Sequence, residues 1–162
     1  MSFETEFRQE QELELEFPPP LKTRQLIESK SSPGGFLARV SGFDEGSTTS
    51  RDPSVVRLQN AGVDRIVREI AARTNAGWCV EVIVQGHADP RNDPKPPETV
   101  SVARARAIAA KIGSRLPATV SGVRGITPSG AGARDPLWPS STHVQRALNR
   151  RVEVTILQIL CA

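Results

Sequence analysis

The 162-residue sequence contains no tyrosine, and its five phenylalanines and two tryptophans make up only 4% of the chain. So few aromatic side chains exclude the stacking surface on which single-stranded nucleic acids bind, and we expect no nucleic-acid partner. No run of about 18 apolar residues occurs, so no segment is expected to cross a membrane as a helix. Two cysteines are too few for a disulfide framework, and two histidines argue against a four-ligand zinc site.

Motifs of common enzyme classes are also missing. The sequence has no G-x-x-x-x-G-K-[ST], no G-x-S-x-G, no C-x-x-C and no H-E-x-x-H. His87 and Asp89 lie two residues apart and could ligate a metal, but no third ligand is fixed near them, so we expect an ordinary hydrogen-bonded histidine. We therefore predict a protein that is not an enzyme and that uses neither a cofactor nor a metal ion.

The net charge of +3 conceals two segments of opposite sign. Residues 1–17 hold six glutamates and one arginine, a net charge of −5, whereas the remainder holds 20 basic and 12 acidic residues, a net charge of +8. A basic domain favours an anionic partner, which could be a nucleic acid, a cell-wall polymer or an acidic protein, and charge alone does not choose among them. The acidic start also lacks a basic n-region and an apolar h-region, so no secretory signal is expected.

The first 35 residues differ from the rest in composition and in hydrophobic pattern. Glutamates alternate with Leu13, Leu15 and Phe17, a pattern that also fits an edge strand, but three prolines at 18–20 end it and it has nothing to pair with. Residues 21–35 finish in Ser-Ser-Pro-Gly-Gly, which is typical of a linker. We expect residues 1–35 to be a disordered acidic tail with a linker, and residues 36–162 to be the folded domain.

Hydrophobic periodicity predicts an α+β domain. The predicted elements are, in order, a strand at 36–43, a helix from Asp52 to Asn75, a strand at 78–87, a helix at 101–116, a short strand at 126–130, one or two helical turns at 143–148 and a strand at 151–160. Each long strand is apolar on one face only, which indicates two layers rather than a doubly wound sheet. The expected fold is a β-α-β-α-β-β sandwich with a mixed sheet covered by two helices on one face.

One pair of charged residues suggests a binding site. Asp89 comes just after the second predicted strand, at the sheet edge where α/β proteins tend to bind ligands. Ser101 is a natural N-cap, which would put Arg104 in the first turn of the following helix, beside free backbone N–H groups. A carboxylate and a guanidinium on one crevice suit a zwitterion, with its ammonium on Asp89 and its carboxylate on Arg104. The alternative is that Asp89 and Arg104 pair with each other.

Five motifs together resemble a known family. They are Phe43-Asp44, Gly86-His87-Ala88-Asp89, Val100-Ser101-Val102-Ala103-Arg104-Ala105, Gly130-Ala131-Gly132 before Asp135-Pro136, and Asn149-Arg150-Arg151-Val152-Glu153. In order and spacing, including the fifteen residues between Asp89 and Arg104, they resemble the OmpA-like peptidoglycan-binding domain over residues 36–158. The sequence departs from the family pattern at Asn92, where glycine is usual, and at Pro97, where asparagine is usual.

The resemblance implies non-covalent binding of peptidoglycan through the diaminopimelate of its peptide stem. Asp89 would receive the ammonium and Arg104 the carboxylate, with Asp44 and Arg150 as secondary ligand residues at the same edge. The resemblance also implies a location in the cell envelope or periplasm. Because no signal peptide is visible, the alternatives are a cytoplasmic location or export by a leaderless route. The alternative function is a protein-interaction module that keeps the fold, with the acidic tail contacting a protein partner.

The resemblance also bears on the two cysteines, because it sets the last strand antiparallel to the second predicted strand. Cys79 and Cys161 would then lie near each other on the same side of the sheet. A disulfide is expected if the protein meets an oxidising compartment, and two free thiols if it remains in the cytoplasm.

Overall fold

The computed structural model describes residues 26–162, which form five strands and three helices. The elements are Ile27–Ser32 (β1), Gly35–Ser41 (β2), Pro53–Asn75 (α1), Cys79–Gly86 (β3), Pro97–Arg115 (α2), Val123–Gly130 (β4), His143–Asn149 (α3) and Arg151–Ile159 (β5). The predicted two-layer α+β architecture is confirmed, and the one or two helical turns predicted at 143–148 form the short helix α3. None of the helices within residues 26–162 is long and apolar enough to span a membrane.

The strands form one mixed sheet in the order β1-β2-β5-β3-β4. β3 and β4 are parallel, and every other neighbouring pair is antiparallel, including β3 with β5. Because Gly86 pairs with Val152 and Ser41 with Arg151, β2 and β3 end where β5 begins. We call this side of the sheet the site edge.

One face of the sheet carries the core. The inward side chains of the central strands are almost completely buried against α1 and α2, as the alternating pattern predicts. They are Ala38, Val40, Val80, Val82, Val84, Val152, Val154 and Ile156. α1 starts and stops at the predicted positions, because the Asp52 carboxylate caps the N–H of Ser54 at 2.9 Å, and Gly77, at φ +97°, adopts a left-handed conformation just past the helix end.

The predicted linker is wrong for residues 27–32. These residues form β1, paired antiparallel with β2 from Ile27–Val40 to Ser32–Gly35. Leu26, 2% exposed, and the partly buried Ile27 add apolar surface to the core, and the Pro-Gly segment is the turn of a hairpin rather than the end of a linker. Residues 1–25 of the predicted tail and linker lie outside the described residues.

The predicted start of α2 is also wrong. The helix begins at Pro97 with Pro96 at the N-cap position, four residues before Ser101. Proline suits the first helical position, since its fixed φ is helical and its missing N–H would have no partner there. Ser101 instead lies inside the helix, where its hydroxyl donates to the carbonyl of Glu98 and accepts from the N–H of Gly132.

Candidate functional site

Two glycines allow α2 to lie directly on the strand ends at the site edge. A Cβ at Gly86 would stand 1.8 Å from the carbonyl oxygen of Ser101, and a Cβ at Gly130 would stand 2.8 Å from the backbone nitrogen of Val102. Any side chain at either position would push the helix away from β3 and β4. This close approach buries Arg104, one turn further along α2, beneath the loops of the site edge.

Asp89 is buried and accepts four hydrogen bonds, all from neutral groups. The hydroxyl of Ser140 (2.6 Å) and the side-chain amide of Asn149 (3.0 Å) donate to Oδ1. The backbone N–H groups of Arg91 (3.0 Å) and Asn92 (2.8 Å) donate to Oδ2. Each carboxylate oxygen of Asp89 therefore accepts two hydrogen bonds, and its negative charge is paired with no cation among the described residues.

Arg104 is completely buried, and all five of its N–H groups have acceptors. Nε donates to the carbonyl of Ser47 (2.8 Å), and further bonds reach the carbonyls of His87 (3.0 Å) and Asp44 (2.9 Å). The remaining two form a bidentate pair with the carboxylate of Asp93, at 2.7 and 2.8 Å. Arg104 thus holds together α2, the loop after β2 and the loop after β3.

Asp93 is the central acidic residue that sequence reasoning missed. Besides Arg104, it accepts from the N–H of Gly46 (2.7 Å) and from the N–H of Asp89 (2.6 Å). Burial alone would raise the pKa of this carboxyl, but the hydrogen bonds and charge of Arg104 outweigh burial and hold the pKa below its ordinary value. The one signal in the sequence was a basic residue on an otherwise apolar helix face, which requires a buried counter-charge.

The two residues predicted to form the site are therefore neighbours but not partners. The alternative of a direct Asp89–Arg104 pair is wrong, because Asp93 takes the guanidinium and is itself hydrogen-bonded to the backbone of Asp89. The helix-terminus position of Arg104 is also wrong, since α2 begins seven residues earlier at Pro97. Arg104 lies about two turns into α2 rather than in its first turn.

Arg150 lies in the same group of charges. Its Nε donates to the carbonyl of Phe43, on the loop that follows β2, and its Nη1 is buried with no hydrogen-bond partner among the described residues. Burial lowers the pKa of this guanidinium below its ordinary value, and the nearby carboxylates of Asp93 and Asp89 oppose that effect. Arg150 is 5% exposed.

The other predicted secondary residue, Asp44, contributes mainly through its backbone. Its carbonyl accepts from Nη2 of Arg104 at 2.9 Å, whereas its carboxylate accepts from the N–H of Arg51 at 2.8 Å within the same loop. Asp44 thus shapes the loop above Arg104.

A cavity of about 390 Å³ opens beside these charges. Its lining includes the buried Asp89 and Asp93 and the exposed side chains of Lys95, Glu98 and Arg134, beside two prolines and an alanine. Its lining therefore offers both carboxylates and cations within a volume suited to a small ligand.

His87 lies on the sheet face opposite the helices, beside β5. Neither ring nitrogen has a hydrogen-bond partner among the described residues, and Nε2 lies 3.7 Å from a carboxylate oxygen of Glu153. Burial, reinforced by the charge of Arg151, lowers the pKa of His87 to about 4. The expected ordinary hydrogen bond is absent, and residues 26–162 contain no cluster of three metal-ligating side chains.

A disulfide joins Cys79 to Cys161 at the sheet edge opposite the site edge, with their Cα atoms 5.1 Å apart. The bond links the start of β3 to the chain just after β5, which are brought together by the pairing of Cys79 with Ile159.

No protein-family model matches the sequence, and no curated protein sequence matches it. Solved structures do share the fold. The periplasmic domain of Helicobacter pylori MotB is 16% identical at a TM-score of 0.58, over 82% of this chain and 79% of that one. The cell wall anchor of the T6SS from Pseudomonas aeruginosa is 22% identical at a TM-score of 0.59, over 83% of this chain and 89% of that one. The OmpA-like domain of FopA1 from Francisella tularensis is 18% identical at 0.52, over 82% of both chains. The chain therefore has the fold of the OmpA-like domains.

Proposed function

We propose that this protein binds peptidoglycan non-covalently and anchors itself, or an assembly that contains it, to the cell wall. The observation that carries the proposal is Asp89, a buried carboxylate with only neutral donors at the site edge, in a fold shared with a cell wall anchor. A buried charge with no cation beside it attracts a cationic group of a ligand. The peptide stem of peptidoglycan supplies such a group.

The ligand of the site is the diaminopimelate of that stem. Its free end carries an ammonium and a carboxylate on the same carbon, so recognition requires a negative and a positive group on one crevice. Asp89 supplies the negative group, and the basic residues of the site edge supply the positive one. The 390 Å³ cavity beside Asp89 has room for one amino-acid end of this molecule.

The proposed location is the cell envelope. The Helicobacter pylori neighbour is a periplasmic domain, and a disulfide such as Cys79–Cys161 forms and persists in an oxidising compartment. Peptidoglycan lies in that same compartment, so the disulfide and the proposed ligand point to the same location.

Co-sedimentation with purified sacculi tests the proposal. The wild-type chain should sediment with diaminopimelate-containing sacculi at both low and high salt, because a shaped site survives the screening that abolishes attraction by bulk charge. Asp89→Asn keeps the shape of the side chain but removes its charge, and should lose most of the binding. Asp64→Asn, a change at a carboxylate on the surface of α1, is the matched control and should bind as the wild type does.

Two results would contradict the proposal. A wild-type chain that stays in the supernatant would favour the protein-interaction module instead. Retention of Asp89→Asn at wild-type levels would show that binding does not use this site.

A further inference from the structure

We propose that residues 12–17 of this chain dock on the face of the sheet opposite the helices. The surface that receives them is formed by Leu37, Ile83, Thr155 and Leu157, and we call it the outer patch. The occupant is the alternating segment Glu-Leu-Glu-Leu-Glu-Phe that comes just before the three prolines. The inference is independent of the proposed peptidoglycan site.

The outer patch lies in the middle of the sheet. Thr155 pairs with Leu37 on one side and with Ile83 on the other, and Leu157 follows on the same face. α1 and α2 pack against the opposite face, where they bury the core. Ile83 and Leu157 remain 39% and 40% exposed. Neighbouring apolar side chains exposed at the centre of a sheet mark an interaction surface.

A cavity of about 380 Å³ opens at the outer patch. Its lining includes Leu37, Thr155 and Leu157, together with Gly34 and Gly35 of the hairpin. Gly35 stands opposite Leu157 in the register of β2 and β5, and its missing side chain leaves space there. An apolar side chain entering this cavity would be removed from water.

The segment at 12–17 has the pattern that such a surface requires. In an extended chain, Leu13, Leu15 and Phe17 would point to one side and the three glutamates to the other. Docking on the outer patch would bury the apolar side and leave every glutamate in water, so no carboxylate would lose its hydration. The expectation of a disordered tail depended on a missing partner, and the outer patch supplies one.

The connection to the domain is long enough. The chain joins the described structure at Leu26, directly before β1, which is the edge strand beside β2. Phe17 lies nine residues before Leu26, and an extended chain of that length spans about 30 Å. From β1 to β3 there are three strand spacings, or about 15 Å. Three consecutive prolines at 18–20 favour the extended form of this connection.

The free edge of β1 is a poorer place for the segment. From Glu28 onward, the sequence of β1 is polar, so a strand paired there would set its leucines beside serines and charged residues. The outer patch offers apolar contacts instead. Attraction between the acidic residues 1–17, with a net charge of −5, and the remainder of the chain, at +8, favours docking within one molecule.

A nitroxide spin label on the full chain tests the proposal by NMR. Both native cysteines are held in the disulfide, so Glu14→Cys provides a single labelling position on the side that faces water. The backbone amide signals of Ile83 and Leu157 should lose most of their intensity, whereas those of the exposed Arg106 and Ala110 on α2 should keep theirs. Equal losses on the two layers, or no loss on either, would overturn the inference.

A mixing experiment distinguishes this occupant from a second copy of the chain. When isotope-labelled protein without nitroxide is mixed with unlabelled protein that carries it, the signals of Ile83 and Leu157 should keep their intensity. Selective loss of these signals in the mixture would assign the outer patch to contacts between copies and contradict docking within one chain.

Variants on both partners complete the test. Leu157→Asp places a charge on the outer patch and should restore the Ile83 signal in the spin-labelled chain. Leu15→Asp should do the same from outside the folded sheet, so its effect does not depend on how the sheet tolerates a substitution. Ala110→Asp adds the same charge to the exposed surface of α2 and should leave the signal suppressed. An Ile83 signal that stays suppressed in both Leu157→Asp and Leu15→Asp would contradict the proposal.

Discussion

The guanidinium of Arg104 and the carboxylate of Asp93 form a fully buried bidentate pair, with Nη1–Oδ2 at 2.7 Å and Nη2–Oδ1 at 2.8 Å. Asp93 also binds the N–H of Gly46, and Arg104 also binds the carbonyl of Ser47. The pair therefore fastens the loop after β2 to the loop after β3. These two loops lie at the site edge, so the shape of the crevice there depends on this ion pair.

Replacing Asp93 should lower the stability of the protein strongly. Asp93→Asn keeps the shape of the side chain but leaves the buried Arg104 charge without its counter-ion, which should cost about 3–5 kcal/mol of unfolding free energy in denaturant titrations. The control is Asp64→Asn. Asp64 pairs with Arg115 at 2.9 Å but its side chain is 53% exposed, so the loss should stay below about 1 kcal/mol. Similar losses in the two variants would show that the buried pair does not stabilise the fold.

Stability should fall in mildly acidic solution because of His87. Burial lowers the pKa of His87 from 6.5 to about 4, with a further contribution from Arg151, so the unfolded chain takes up a proton as the pH falls below 6.5 while the folded chain resists until about 4. The contribution of His87 to the free energy of unfolding is thus complete above pH 6.5. It is lost as the pH falls from 6.5 to about 4, by up to about 3 kcal/mol.

Urea unfolding at pH 7, 5.5 and 4.5 measures this loss. His87→Leu has a similar volume and does not titrate, so its stability should vary less with pH than that of the wild type across this range. A pH dependence that is unchanged in His87→Leu would assign the acid sensitivity to other groups.

The contact between α2 and β3 should not tolerate a methyl group. In Gly86→Ala, the new Cβ would stand 1.8 Å from the Ser101 carbonyl, a backbone atom that moves only if the helix moves. We expect a loss of about 3 kcal/mol or more by thermal or chemical unfolding. Gly113→Ala, also at α2 but with no atom within 4 Å of the new Cβ, should instead gain up to about 1 kcal/mol from helix propensity. A wild-type melting temperature for Gly86→Ala would disprove the close approach.

Reduction of the disulfide should lower stability without removing the site. Cys79 and Cys161 are separated by 82 residues, so their bond restricts most of the unfolded domain and should contribute about 2–4 kcal/mol. Dithiothreitol should lower the melting temperature of the wild type and leave that of the Cys79→Ala/Cys161→Ala double variant unchanged. Because the bond lies at the sheet edge opposite Asp89, binding to sacculi should persist after reduction at temperatures where the protein stays folded. Equal melting temperatures with and without reductant in the wild type would contradict this prediction.

Sequence reasoning interpreted most local signals correctly, although it missed the proline that starts α2. The start of α1 at Asp52-Pro53 and its end before Gly77 depend on caps within a few residues, and the alternating valines of β3 depend on neighbours two positions away. Where an element depended on distant partners, the prediction failed. The strand β1 has a polar, serine-rich sequence and forms because β2 presents a free edge to it.

By itself, the sequence determined the two-layer fold and the position of Asp89 just beyond β3, since periodicity and chain order place both. Only the tertiary structure decided which carboxylate would neutralise Arg104. The acceptors of this guanidinium come from His87, 17 residues before it, from Asp93, 11 before it, and from a loop 57–60 residues before it. Several carboxylates lie close enough along the chain to pair with Arg104. Asp93 is the one that does, because the folded loops over α2 bury it within hydrogen-bond distance of the guanidinium.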